Sequence, residues 1–101
     1  MITAEFTNDS FTVSGHSGYA PAGADIVCAS VSSMTMLVCN AITERFGGDA
    51  KVTVDEKKNR ISLRLNEPSE AALMLIASLR FELTDLSRNY PDNIKVIEKG
   101  K

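Results

Sequence analysis

Histidine occurs once in this chain of 101 residues, cysteine twice and tryptophan not at all. Two cysteines make no disulfide framework. One histidine with two cysteines is a poor donor set for zinc, so neither a metal nor another cofactor is expected. Charge of one sign is also scarce. Eleven basic residues stand against thirteen acidic ones, a net charge of −2, which argues against the basic face that nucleic acid requires. Lys95, Lys99 and Lys101 form the one basic group, and they read as a solvated tail. Met1-Ile2-Thr3-Ala4-Glu5 has neither the basic start nor the apolar run of a secretory signal. The expectation is a cytoplasmic protein with reduced thiols.

The most unusual absence lies between Asp25 and Glu44, where 18 consecutive residues carry no charge. Six of them are Ser, Thr or Asn, which argues against a membrane span. Helical spacing predicts a core stripe of Val27, Val31, Met34, Val38, Ala41 and Ile42, with Met36 and Leu37 well off it. A helix without charge on any face is buried on more than one side. A second layer would do this, and so would a second copy of the chain; a homodimer is the expectation.

A length of 101 residues suits one domain spanning 1–101, burying roughly 60–65% of its unfolded surface. Ile2, Ala4 and Phe6 alternate with polar residues, as do Phe11 and Val13, Val52 and Val54, and Ile61, Leu63 and Leu65; each set predicts a strand. The first helix runs from about Asp25 to Phe46, closed by Gly47-Gly48. Asn66-Glu67-Pro68 opens the second, with Pro68 in its first turn. Ala72, Leu75, Ile76, Leu79, Leu83 and Leu86 form its stripe, and Pro91 stops it. Ile94 and Val96 give a last short strand. The order β-β-α-β-β-α-β predicts an α+β sandwich, two helices on an antiparallel sheet.

Chemistry concentrates in Gly15-His16-Ser17-Gly18-Tyr19-Ala20-Pro21-Ala22-Gly23-Ala24-Asp25-Ile26-Val27-Cys28. With Asp25 as N-cap, Cys28 is the third helical residue. Its sulfur then lies beside unpaired N–H groups and the positive end of the helix dipole, a setting that favours thiolate. His16, flanked by Gly15 and Gly18, is the sole side chain of its type for taking a proton near neutral pH. A plain N-cap and a packed thiol are the structural alternatives for Asp25 and Cys28. Asp25 could also orient His16. Cys39 lies eleven residues on, roughly 16 Å along the helix at 1.5 Å per residue, too far for a disulfide with Cys28; it is expected to pack as a small apolar side chain. The glycines lack the spacing of a nucleotide loop. With Gly15, Gly18, Gly23 and Tyr19 they suit a flap closing over a peptide.

Gly15-His16-x-Gly18-x-Ala20-x-x-Gly23-x-Asp25-Ile26-Val27-Cys28-Ala29-x-Val31-Ser32 resembles the signature of the ribosomal-processing cysteine protease Prp family. The length and element order agree with that family too. The resemblance implies a cysteine endopeptidase that removes a short N-terminal extension from large-subunit ribosomal protein number twenty-seven. It also implies a homodimer with a mobile loop over its site. By motif, Cys28 would be the nucleophile, His16 the base, and Asp25 and Ser32 supporting residues. The backbone N–H groups of Cys28 and Ala29 are candidates for stabilising the oxyanion. An Asp25 cap on the Cys28 N–H would take one of them. The alternative is a non-catalytic module that binds a ribosomal peptide or an assembly partner.

Overall fold

The computed structural model describes residues 1–21 and 25–100. Alternation holds in the first hairpin, β1 (Ile2–Phe6) and β2 (Ser10–Ser14), where Ile2, Ala4, Phe6, Phe11 and Val13 are buried and their neighbours are not. Helix α1 (Ile26–Asn40) ends in a wider π-helical turn, Ala41–Arg45, and the chain leaves through Gly47 at a φ of 59°. There follow β3 (Ala50–Asp55), β4 (Arg60–Leu65), α2 (Glu70–Asn89) and β5 (Ile94–Glu98). Ser69 caps α2, its hydroxyl accepting from the Ala72 N–H at 3.2 Å. Pro68 therefore lies just before the helix and not in its first turn. Asn66 stays outside the helix, its side-chain amide donating to Asp49 at 3.0 Å.

The strands form one sheet in the order β3-β4-β2-β1-β5. Three pairings are antiparallel, as expected, but β5 runs parallel to β1, so the sheet is mixed. The cause is the helical connection. A chain leaving one end of a sheet through a helix re-enters at the opposite end and runs in its former direction. Helix α2 thus carries the chain from β4 past β2 and β1 to the far edge, parallel to both β4 and β1. Helix α1 likewise joins β2 to a parallel β3, with β4 between them. Side chains from both helices and from one sheet face share a single core. The other face is polar; the Thr12 and Ser62 hydroxyls pair across it at 3.2 Å and Lys99 meets Glu5 at 3.2 Å.

The segment Ile26–Arg45 is long and apolar enough to cross a membrane by length and composition, with a mean hydropathy of 1.7. Here it is the core helix: Val27, Val31, Thr35, Val38, Cys39 and Ile42 are buried. Met34 is only partly buried, and Leu37 is 69% exposed. The one surprise is Thr35, fully buried, whose hydroxyl has no hydrogen-bond partner among the described residues. A buried hydroxyl left unpaired costs about 1–3 kcal/mol, whereas an apolar group of the same shape costs nothing of the kind. Thr35→Val is expected to raise unfolding stability by about 1 kcal/mol, read as a higher urea midpoint at unchanged slope; a lower midpoint would show that the hydroxyl contributes favourably.

Candidate functional site

The site begins where β2 ends. Gly15 has a φ of 95°, and a Cβ there would collide with the Met1 carbonyl oxygen, so only glycine lets the chain turn at this point. His16 follows on the surface. Ser17 turns inward and is 2% exposed. Its hydroxyl donates to Asp25 Oδ2 and accepts from the Tyr19 N–H at 3.2 Å, while the Asn93 side-chain amide donates to its carbonyl at 2.9 Å. Tyr19 meets Tyr90 edge to face, ring centres 5.4 Å apart. Through Ser17 and Tyr19 the loop is thereby tied to the α2–β5 connection and to the start of α1. Gly23 lies outside the described residues.

Asp25 has the extended backbone of an N-cap, and its Oδ1 accepts from the Cys28 N–H at 2.9 Å. The Ser17 hydroxyl, and after it the Cys28 N–H, holds this carboxyl below its ordinary value of 3.8. Asp25 thus steadies the helix start; the side-chain contact that the structure gives His16 is to Asn59, at 3.4 Å, and not to Asp25. The oxyanion candidates fare no better. The Cys28 N–H serves Asp25 Oδ1, and the Ala29 N–H donates to the Asp25 carbonyl at 3.1 Å.

Cys28 is half-buried on the first turn of α1, and Ser32 stands one turn further on. Both line an open cleft of about 540 Å³ together with His16, Gly18, Ala20, Asp25, Ala29 and Asn59. The fold thus brings His16, Gly18, Asp25, Cys28 and Ser32 to one place. Gly15 lies beneath, beside Thr35, on a cavity of about 30 Å³ that reaches Cys28 from below. Cys39 is a useful contrast: it lies in the core, and burial pushes its thiol up to about 11. Among the described residues no three His, Cys, Asp or Glu side chains group closely enough to hold a metal ion.

Ser17 and Asn59 escape a reading of the sequence. A serine between His16 and Gly18 looks like loop filler, and nothing local pairs it with a cap eight residues on. Asn59 closes the β3–β4 hairpin, and its approach to His16 comes only from sheet register. Its lone local signal is the residue type, since Asn tolerates the left-handed φ of 49° that it adopts.

Residues 1–95 match the family described as Cysteine protease Prp. The ribosomal processing cysteine protease Prp of Bacillus subtilis is 27% identical over 92 residues, covering 86% of this chain and 82% of that protein. Its counterpart in Mycoplasma pneumoniae is 28% identical over 101 residues, covering 100% and 98%. Among solved structures, the essential ribosomal processing protease Prp of Staphylococcus aureus, in complex with a covalently linked product peptide, superposes with a TM-score of 0.91 at 23% identity, over 98% of this chain and all of that one. A protein from Streptococcus mutans reaches 0.86 at 25% identity, over 100% and 96%.

The lowered Asp25 carboxyl has a consequence for stability. A group whose folded value lies below its unfolded one contributes stability above the unfolded value, and that contribution fades as pH falls through the folded one. Asp25→Asn, which keeps an oxygen for the Cys28 N–H but cannot titrate, is expected to lose less melting temperature than the parent chain as pH falls below about 4. Identical acid curves in thermal melts would remove the carboxylate from this role.

Proposed function

The chain belongs to the Prp family of ribosomal processing cysteine proteases, and from that membership we propose that it removes a short N-terminal extension from large-subunit ribosomal protein number twenty-seven, in the cytoplasm, through a Cys28–His16 dyad. The observation that carries the dyad is one cleft lined by the sole histidine and by the half-exposed thiol on the first turn of a helix. A volume of about 540 Å³ falls within the usual range for clefts that hold a small ligand.

The chemistry follows from those groups. His16 takes the thiol proton, and Cys28 Sγ attacks the scissile carbonyl. The imidazolium then protonates the departing amine as the C–N bond breaks, leaving a thioester. Water, deprotonated by the same ring, opens the thioester and restores the thiol. Asp25 fixes the turn on which the sulfur stands. Ser32, on the cleft wall one turn beyond Cys28, presents a hydroxyl to the bound peptide. Gly18, from the loop, lines the same cleft, and Tyr19 beside it packs on Tyr90; the loop is the flap that closes over the peptide in this reading.

The test is incubation with the host's own ribosomal protein and mass spectrometry of its N-terminus. The parent chain should yield the shortened form. Cys28→Ser and His16→Ala should each cut at least about 100-fold more slowly, the lower end of what a positioned proton-transfer group contributes, while Cys28→Ser still binds. An intact N-terminus with the parent chain would discard this substrate, and a fully active Cys28→Ser would discard the nucleophile.

We also propose that the working form is a homodimer. Met36 and Leu37 stand exposed on the uncharged helix. Val52 and Val54, paired with Leu63 and Ile61, face the core side of the sheet yet are exposed on edge strand β3. Two apolar surfaces, one on the uncharged helix and one on an edge strand, are what a second copy of the chain would cover. Sedimentation at micromolar concentration should give twice the chain mass, and a clean monomer would remove this reading.

A further inference from the structure

Strand alternation sorts charge on the sheet. Both helices pack on one face. On the open face the strands turn out Lys51, Arg60, Arg64 and Lys95 against Glu5 and Asp55. A chain of net charge −2 thus presents a locally basic surface. Two of those cations are neighbours. Lys51 and Arg64 are direct partners in the β3–β4 ladder, and Ser10 of β2 stands opposite Arg64 on its other side. The next row across the same three strands is Thr53, Ser62 and Thr12, all hydroxyls. The two rows line one open depression of about 340 Å³. Thr12 and Ser62 share a hydrogen bond at 3.2 Å, which spends one hydroxyl hydrogen and leaves the other for an acceptor from outside. Like charges directly opposite on a ladder are destabilising. Among the described residues neither Lys51 nor Arg64 meets a carboxylate within ion-pair distance. The carboxylates of this region are engaged elsewhere: Glu5 with Lys99 at 3.2 Å, Asp9 with the Thr7 hydroxyl at 3.0 Å, and Asp55 with the Lys58 N–H at 3.2 Å.

We propose that this depression binds one phosphate group, as the free ion or as a small phosphate monoester. Arg64 offers a planar fork that grips two phosphate oxygens at once, and Lys51 adds a mobile point charge. The hydroxyls of Ser10, Thr53 and the Thr12–Ser62 pair donate to the remaining oxygens. A bound dianion turns the repulsion between Lys51 and Arg64 into two attractions. A carboxylate, with two oxygens and one charge, uses this set of donors less fully. An extended polyanion fits it less well, because the cations do not form a track. Arg60 stands four residues from Arg64 along β4, roughly 13 Å at about 3.3 Å per residue, and Lys95 is on the opposite edge strand. The site lies on the sheet face turned away from the helices, so it stands apart from the Cys28 cleft and does not rest on the dyad.

The test is titration of the ¹⁵N-labelled chain with inorganic phosphate at neutral pH and constant ionic strength. Amide shifts at Ser10, Thr12, Lys51, Thr53, Ser62 and Arg64 should saturate, and phosphate should raise the melting temperature of the parent chain. Lys51→Gln and Arg64→Gln should each weaken binding about 10-fold or more, as the loss of a hydrogen bond from a charged group does. Lys95→Gln, on the far edge, should bind as the parent does. Without phosphate, Lys51→Gln should have a urea midpoint at or above that of the parent, because it removes the like-charge contact. Glycerol phosphate is the second probe. Tighter binding than inorganic phosphate at the same amides identifies an ester as the natural ligand, and the reverse order identifies the free ion; either upholds the site. Shifts that climb without saturating, or that persist in the variant carrying both substitutions, overturn the proposal. So does an RNA hexamer without a terminal phosphate that binds these amides more tightly than either probe.

Discussion

One carboxylate joins the two halves of the site. Asp25 gives one oxygen to the Cys28 N–H and the other to the Ser17 hydroxyl. The first bond ends the helix cleanly at the turn that bears the sulfur, and the second pins the loop that bears the imidazole. Without it the helix start would lose a cap, worth about 1 kcal/mol in a typical case. The loop would lose the contact that turns Ser17 inward and leaves its neighbour His16 outside. A buried serine and an exposed histidine in adjacent positions are the visible result.

The sheet topology supplies the remaining placement. Two helical crossovers on one face bring the exit of β2, the start of α1 and the β3–β4 turn together at one end of the sheet. Chemistry-bearing residues drawn from 16 to 59 then share a single cleft. A sheet of consecutive hairpins would not bring β4 next to β2, and Asn59 would have no route to Gly15. The mixed sheet therefore contributes to the site directly.

Much of this was legible in the sequence, for a physical reason. Strand alternation, the uncharged helix and the Asp25 cap are local patterns, and all stand in the structure. His16, Asp25, Cys28 and Ser32 were grouped by the motif resemblance, and one cleft is lined by all four; loop length alone left the place of His16 open. What was not legible is non-local. The parallel β5 depends on where α2 crosses, Thr35 depends on which side of the stripe the sheet presses, and Asn59 depends on register between strands. Ser17 is local but ambiguous, since a serine before glycine carries no mark of burial. The sequence left open whether Asp25 caps the helix or meets His16; in the structure its two oxygens serve the Cys28 N–H and the Ser17 hydroxyl.

The two cysteines show how far environment outranks residue type. They share a helix, and eleven residues of separation return them to nearly the same angle around it. Cys39 lies three turns in, sealed by the core, and its thiol is held in the neutral form well beyond the ordinary range. Cys28 lies on the first turn, half-exposed and open to the cleft. Angle alone would bury both. What separates them is position along the axis: the first turn borders the cleft, whereas three turns on, the same angle meets the packed core.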